Sequence, residues 1–230
     1  LNKLFKTGCR YVCFVSNDVI VAPDFLQQMV AVAECDPSIA AVNPRIYYTQ
    51  PSNCLWFDGC YFNPWLGRGI HRSYRKTDDG SLIDTPTEIS CMTGCVYLVR
   101  TAVAELIDGF DDRYFNYAED TDMSLRIIKL GYKVYFAPRS VVWHSESYDI
   151  HKNAGRAYQN YYLTRNVMLL MQSHGTPLQR FVFNLFFFAQ SLCRIGAYAV
   201  RGEVQRAEAV VKGYIDHVLN RYGKQKVNFR

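Results

Sequence analysis

The residues with the clearest chemical potential are three acids within four positions, in Glu119-Asp120-Thr121-Asp122. They open a predicted helix, where one or two acids would complement the positive end of the helix dipole. A third acid adds repulsion, and closely spaced carboxylates raise one another's pKa, which suits a general base. By itself the cluster fits a helix cap and a catalytic site equally well.

A second candidate is Ser16-Asn17-Asp18, which follows the apolar run Tyr11–Val15. A carboxylate at the C-terminal end of a buried strand projects into the crevice where open α/β sheets bind ligands. A Mg²⁺ or Mn²⁺ ion that bridges a diphosphate needs only one or two protein carboxylates, so Asp18 alone could hold it. Taken alone, the motif is more typical of a turn or a helix cap.

A third candidate is His144, which follows Trp143 at the end of a predicted strand. A single histidine is more often structural than a ligand. If the strands before Asp18 and His144 run parallel, however, both side chains lie at the same edge of the sheet.

Aromatic residues are scattered through residues 49–88, among them Trp56, and turn signals separate them. A long irregular segment within a domain is usually functional or disordered, and the aromatic content argues against disorder. Aromatics form 15% of the chain, which suits a cleft that stacks sugars or an interfacial surface. We therefore count Trp56 among the candidate substrate-binding residues.

Strands alternate with helices over the first 150 residues, which predicts an α/β sheet with crossover connections. The predicted elements are a strand at 11–15, a helix at 25–34, a strand at 40–48, a strand and then a helix from Ile89, a helix at 119–130, and strands at 133–136 and 140–143. These elements form a first region, 1–150.

The second region, 151–230, is predicted to be a helical appendage with a break at Gly175-Thr176-Pro177. Its segment 181–200 is strongly apolar, but Asn184, Ser191, Arg194 and Arg201 form one polar stripe at helical spacing. This stripe favours an interfacial or bundle helix over one that spans a membrane. Contact with a membrane and packing against the domain or a second copy remain equal alternatives. The next helix has one apolar face, formed by Val204, Ala207, Val211, Ile215 and Val218.

Composition is that of an ordinary globular protein of 230 residues, with 49% hydrophobic residues and a formal net charge of +5. No basic run is interleaved with aromatic residues, so nucleic acid is not a predicted partner. The charge is compatible with anionic substrates or an anionic membrane surface. The eight cysteines lack zinc-site spacing, so we expect small buried side chains in a reducing compartment.

Taken in order, these motifs resemble the inverting family 2 glycosyltransferases of the GT-A fold, and above all their rhamnosyltransferase-like members. The matching segments are Phe14-Val15-Ser16-Asn17-Asp18, Thr93-Gly94-Cys95 with Arg100, Gly109-Phe110-Asp111-Asp112, Glu119-Asp120-Thr121-Asp122, Val142-Trp143-His144, and Tyr162 with Arg165-Asn166. The resemblance implies a GT-A-like mixed sheet with flanking helices, incomplete at the N-terminus, plus the helical appendage.

The resemblance also implies roles for these positions. Asp120 would be the catalytic base, and Asp18 with His144 would hold Mg²⁺ or Mn²⁺ on the diphosphate of the donor. Glu119 would help to hold the acceptor, and the remaining substrate-binding candidates are Thr93, Gly94, Trp56 and Asp122. The donor would be a UDP- or dTDP-linked sugar, and the acceptor a glycan or a lipid-linked sugar in cell-surface polysaccharide synthesis. A single displacement would invert the anomeric centre.

Two features depart from the family pattern. Ser16 replaces the first acid or amide of the metal motif, which leaves Asp18 as its single carboxylate. Family members begin with about 80–100 further residues that bind the nucleoside, so Leu1 is expected to enter partway and residues 1–230 to be inactive alone. A non-catalytic glycan-binding or scaffolding remnant is the alternative function. The expected location is cytoplasmic, peripheral on the inner face of the cell membrane or free of it, and a homodimer is a further expectation.

Overall fold

A computed structural model describes residues 8–145 and 153–227, which divide into two compact units. Among these residues, a sheet unit comprises 8–62, 69–110 and 120–145, and a helical unit comprises 63–68, 111–119 and 153–227. The predicted boundary near residue 150 lies outside the described residues.

The strands and helices follow one another in this order: β1 (Tyr11–Val15), β2 (Val19–Val21), α1 (Phe25–Glu34), β3 (Ile39–Tyr48), β4 (Leu55–Phe57), β5 (Cys60–Asn63), β6 (Arg68–His71), β7 (Thr87–Ile89), β8 (Val96–Arg100), α2 (Thr101–Leu106), α3 (Glu119–Lys129), β9 (Lys133–His144), α4 (Asn153–His174), α5 (Pro177–Val200) and α6 (Val204–Val218).

The central sheet has the order β1-β8-β3-β9-β2, with β4 paired to β3 and β7 paired to β9. The β3–β9 pair is parallel, whereas β8 is antiparallel to both β1 and β3. It follows that β1, β3 and β9 run in the same direction. Their C-terminal ends therefore meet at one edge of the sheet, which confirms the expected mixed sheet and the shared edge for Asp18 and His144.

Several predicted elements are confirmed with little change in their bounds. β1 and α1 have the predicted bounds, and β3 begins one residue earlier. The two strands predicted around Pro138 are one strand, β9, whose pairing with β3 shifts between Ala137 and Val141. This bulge accommodates Pro138, because proline cannot donate a ladder hydrogen bond.

Two parts of the sequence-based assignment were wrong. Residues 49–88 are not irregular throughout, because they contain β4, β5, β6 and the start of β7, and β2 was not predicted at all. The strand predicted from Ile89 is interrupted at residues 90–95, between β7 and β8. These strands have only three to five residues, which is too short for a clear alternation of apolar and polar positions.

The core of the sheet unit lies on the central strands and under α1 and α3. Its largest fully buried side chains include Met29, Ile46, Phe57 and Phe136. One polar side chain, Asn43 on β3, is buried among them and donates to the backbone carbonyls of Thr93 and Val96 at 3.1 and 2.7 Å. Because a buried amide needs partners, this pair of bonds fixes where the 90–95 segment crosses β3.

The helical unit begins its second long helix at a capping box, which confirms the predicted break after α4. The Thr176 hydroxyl oxygen accepts a hydrogen bond from the backbone amide of Gln179. The side-chain oxygen of Gln179 in turn accepts one from the backbone amide of Thr176. Pro177 follows at the first turn, where its missing N–H has no cost.

The cysteines are less uniformly buried than expected. Cys60, Cys91 and Cys95 are buried, as predicted, but Cys9, Cys35 and Cys193 are exposed. All eight are free thiols.

Candidate functional site

The turn between β1 and β2 places Asp18 beside His144. Val19, at the start of β2, pairs with His144 at the end of β9, and the Ser145 amide donates to the Asp18 carbonyl at 2.8 Å. As a result, Asp18 Oδ2 lies 3.1 Å from His144 Nε2. The Ser16 hydroxyl donates to Asp18 Oδ1 at 2.5 Å, so the serine that replaces the expected acid orients the remaining carboxylate.

The charge state of Asp18 follows from these neighbours. Burial raises the pKa of Asp18, but the hydrogen bond from Ser16 and the nearby His144 lower it by more. Its pKa therefore lies below the usual value, and Asp18 is ionised at neutral pH. It is also 41% exposed, so it can reach a ligand in the crevice.

The donor set at this edge fits a Mg²⁺ or Mn²⁺ ion shared with a bound diphosphate. Neighbouring ligand atoms on an octahedral ion with bonds near 2.1 Å are about 3 Å apart, and Asp18 Oδ2 and His144 Nε2 have that spacing. Within residues 8–145 and 153–227, no group of three or more His, Cys, Asp or Glu could hold a metal. An ion here would therefore take its remaining ligands from phosphate and water.

Trp56 lies against the same histidine. Its indole ring meets the His144 imidazole edge to face, with the ring centroids 4.8 Å apart. β4, which carries Trp56, pairs with the C-terminal half of β3 and so brings the aromatic residue to the same edge of the sheet. The structure thus unites Asp18, His144 and Trp56, three residues from distant parts of the chain.

Asp120 is held at the start of α3 by two backbone amides. Its Oδ2 accepts from Gly94 N at 2.6 Å, and its Oδ1 accepts from Thr121 N at 2.6 Å. A Cβ on Gly94 would lie 3.3 Å from Oδ2, which is tighter than most such contacts. The predicted substrate-binding residue Gly94 is therefore one that allows the backbone to approach the carboxylate of Asp120.

Residues 90–95 contact both the motif that contains Asp18 and the start of α3, where Asp120 lies. Met92 N donates to Ser124 Oγ at 2.9 Å, which ties the segment to α3 beside the Gly94–Asp120 bond. At its other end, Cys95 O accepts from Ser16 N at 2.9 Å. Thr93, another predicted substrate-binding residue, lies between these contacts and is buried. Because one short segment contacts both motifs, the pair of Asp18 and His144 and the predicted base, Asp120, are neighbours in the sheet unit.

The surroundings of Asp120 change its acidity. Burial raises the pKa of Asp120 above its usual value, and the amide hydrogen bonds from Thr121 and Gly94 offset part of this rise. A carboxylate with a raised pKa is a stronger base, so the site suits proton abstraction.

The two acids that flank Asp120 have different surroundings. Glu119 begins α3 and is half-buried. Asp122 is not brought to the crevice: it is 2% exposed, and its carboxylate accepts from Arg126 Nε at 2.7 Å, one turn along the same helix. Arg126 in turn donates to the carbonyl of Ile107. Asp122 therefore anchors α3, and its contact with substrate stays a prediction without support from this geometry.

Two polar side chains of the helical unit, Arg165 and Asn166, had no predicted role. They form a clamp that holds residues 113–117, just before the acids at the start of α3. Asn166 Nδ2 donates to the carbonyls of Tyr114, Asn116 and Tyr117 at 2.7–2.9 Å. Arg165 donates to the carbonyls of Arg113 and Tyr114 at 3.2 and 3.0 Å. Both side chains are fully buried in α4.

The clamped segment has an unfavourable backbone conformation. Phe115, Tyr117 and Ala118 have φ values of 63°, 65° and 70°. Side chains other than glycine rarely adopt this left-handed region, because Cβ crowds the following carbonyl. The hydrogen bonds from α4 offset this cost. The sequence signal was the Tyr162, Arg165 and Asn166 motif, which the resemblance singled out without a role.

The chain resembles two curated proteins over part of its length. It is 28% identical over 105 residues to the probable glycosyltransferase YdaM of Bacillus subtilis, which covers 44% of this chain and 24% of that protein. It is 30% identical over 86 residues to the N-acetylglucosaminyl-diphospho-decaprenol L-rhamnosyltransferase of Mycobacterium tuberculosis, which covers 37% of this chain and 25% of that protein. The matches thus span about a quarter of the length of these relatives.

The fold is similar to that of a solved glycosyltransferase. The structure of the mannosyltransferase PcManGT from Pyrobaculum calidifontis, in complex with GDP-Man and Mn²⁺, matches with a TM-score of 0.53 and 13% identity. The match covers 96% of this chain and 66% of that one, and it confirms the expected GT-A-like architecture. The family model of glycosyl transferase family group 2 matches residues 11–202. The chain therefore belongs to glycosyl transferase family group 2.

Proposed function

We propose that this chain carries the catalytic part of a glycosyltransferase that moves a sugar from a nucleotide donor to a hydroxyl group, with inversion. The supporting observation is the pairing of two differently tuned carboxylates in one unit. Asp120 has a raised pKa, and Asp18 has a lowered one. Carboxylates whose surroundings push their pKa values apart are suited to different roles in one reaction.

Asp120 would accept the proton of the acceptor hydroxyl as that oxygen attacks the anomeric carbon. Its carboxylate is oriented before the acceptor arrives, because the amides of Gly94 and Thr121 each hold one oxygen. Such fixed orientation avoids the cost of ordering the base during the reaction. Trp56 offers an aromatic ring on which a sugar ring could stack.

Asp18 and His144 would hold a divalent cation on the donor diphosphate. When bound, that ion would stabilise the negative charge that develops on the leaving nucleotide. PcManGT, a protein of similar fold, was solved with GDP-Man and Mn²⁺, which supports a nucleotide-sugar donor and a divalent ion. The rhamnosyltransferase relative supports a lipid-linked acceptor as the finer form of this proposal, and a UDP- or dTDP-linked sugar is the donor we propose. The proposed location is cytoplasmic, either peripheral on the inner face of the cell membrane or free of it.

The main test of the proposal is Mn²⁺-dependent binding of a nucleoside diphosphate to the full-length protein, measured by calorimetry. We expect Asp18→Ala to weaken the affinity by about tenfold or more, because it removes the single carboxylate of the metal motif. Asp24→Ala is the matched control, since Asp24 is an exposed acid at the start of α1. Equal affinities in wild type and Asp18→Ala would mean that Asp18 is only a turn residue.

A second prediction concerns the pH dependence of transfer. A general base must be ionised, and burial raises the pKa of Asp120. The acidic limb of kcat/KM should therefore lie above pH 3.9, the approximate pKa of an unperturbed aspartate. Asp18 should not set this limb, because its pKa is lowered and it stays ionised there. A limb at the unperturbed value would contradict the assignment of Asp120 as the base.

The raised pKa of Asp120 also affects how the stability of the fold depends on pH. Because the pKa of Asp120 is raised in the folded state, its ionised form costs stability at neutral pH. That cost is relieved as the pH falls through the raised pKa, so Asp120 itself does not promote unfolding in acid.

The alternative is a non-catalytic protein that binds glycan or scaffolds a complex. The observation in its favour is the single carboxylate in the Ser16-Asn17-Asp18 motif. Transfer of labelled sugar by the full-length protein with Mn²⁺ distinguishes the two. Glycan binding without any transfer across UDP-, dTDP- and GDP-linked donors would favour the alternative.

A further inference from the structure

Helix α5 is apolar on two sides: a mainly aromatic side packs inward, and a second apolar side is exposed. The side that packs within the helical unit carries Phe183, Phe187, Ser191 and Tyr198. Arg194, on the same side, donates to Asn160 Oδ1 on α4 at 3.0 Å. A surface helix of a globular protein ordinarily has polar residues on the side that faces water.

The outward surface is continuous and apolar. We call it the α5 outer face, and it consists of Leu178, Phe181, Val182, Leu185, Phe186, Phe188, Leu192 and Val200, all exposed. At 100° per residue these positions lie on one side of the helix, opposite the buried stripe. No charged residue lies among them. Exposure is large at the centre of the face, with Phe181 at 62% and Leu185 at 61%.

Charge is distributed unevenly along the chain. Residues 153–227 contain ten Lys and Arg but three Asp and Glu, a net charge of +7, whereas the whole chain has +5. The part that carries the α5 outer face is therefore strongly basic, and the rest of the chain is slightly acidic. An exposed apolar helix face on a segment with an excess of positive charge has the chemistry of a helix that lies in the headgroup region of an anionic bilayer.

We propose that the α5 outer face binds the surface of an anionic lipid bilayer, with the helix lying in the plane of the interface. A second copy of the chain is a poorer occupant, because it would bring together two segments that each have an excess of positive charge. Spanning also fits less well. α5 is the one described helix that is long and apolar enough to cross a membrane, but its inner side packs on the protein and Arg194 is paired there.

The test is flotation of the full chain with vesicles of phosphatidylcholine alone and of phosphatidylcholine with about a quarter phosphatidylglycerol. We expect binding to the anionic vesicles, weaker binding to the neutral ones, and weaker binding to the anionic vesicles at high salt. The double variant Phe181→Ser with Phe188→Ser should bind the anionic vesicles at least about tenfold less, because both side chains belong to the outer face. Both residues are exposed, so circular dichroism should show an unchanged fold.

The control is the double variant Leu106→Ser with Leu130→Ser, which removes two equally exposed apolar side chains from the sheet unit. It should float like the wild type. Light scattering after gel filtration is measured in parallel on every variant.

Two results would overturn the proposal: absence of vesicle binding by the wild type, or equal binding by the phenylalanine variant. A dimer that the phenylalanine variant dissociates, without vesicle binding, would assign the face to a second copy instead. The flotation assay contains no sugar nucleotide, so its failure would leave the proposed transferase activity untouched.

Discussion

We expect the Asp120→Asn variant of the full-length protein to lose about 10²–10⁴-fold in turnover while it keeps nearly normal donor binding. General-base catalysis usually contributes a factor of this size. Asparagine has the shape of aspartate but cannot accept the acceptor proton, and Asp120 is the acid that the amides of Gly94 and Thr121 orient. The loss should therefore appear in kcat, because the base acts in the chemical step.

Asp112→Asn is the matched control, because Asp112 is an exposed acid in the segment before α3. Calorimetry with nucleoside diphosphate and Mn²⁺ shows whether the donor site is intact in both variants. Turnover of Asp120→Asn within about tenfold of wild type would be incompatible with a general base at this position.

The second large effect is expected from Arg165→Met. Arg165 is fully buried, and it donates to the carbonyls of Gly223, Tyr114 and Arg113 at 2.8–3.2 Å. A hydrogen bond to a charged group contributes about 1.5–3 kcal/mol, and a buried acceptor left without a partner costs about 1–3 kcal/mol. We therefore expect the free energy of unfolding to fall by about 3 kcal/mol or more, and Tm by about 6–12 °C.

Arg156→Met is the control for this variant, because Arg156 lies on the same helix and is exposed. Its Tm should stay close to that of the wild type, as for most surface substitutions. Thermal unfolding followed by circular dichroism compares the two. Equal Tm values for both variants would show that the buried guanidinium contributes nothing to the stability of the clamp.

The sequence predicted those elements whose pattern is local and strong. α3 was predicted from Met123, Ile127 and Leu130 on one side and from acids in its first turn, and it ends one residue earlier than expected. β1, α1 and β3 have similarly clear signals. The candidate site followed from polar residues at strand ends, but the contact between Asp18 and His144 depends on the pairing of β2 with the end of β9, and β2 was not predicted.

What the sequence did not predict depends on contacts between distant residues. The short strands β4 and β7 are defined by their pairing with β3 and β9, and their own residues carry little pattern. Asp122 was expected to bind substrate because of the resemblance, but its carboxylate is buried against Arg126. The clamp of Arg165 and Asn166 requires knowledge of which carbonyls lie opposite α4.

The left-handed backbone at Phe115, Tyr117 and Ala118 has a consequence for protein engineering. A peptide with this sequence would not take this shape in water, since each such residue costs roughly 1–2 kcal/mol. The conformation exists because Asn166, some fifty residues later, binds its carbonyls. The acidic block and its preceding loop are therefore not a portable module. Grafting them onto another scaffold would require a helix that presents an arginine and an asparagine in the same places.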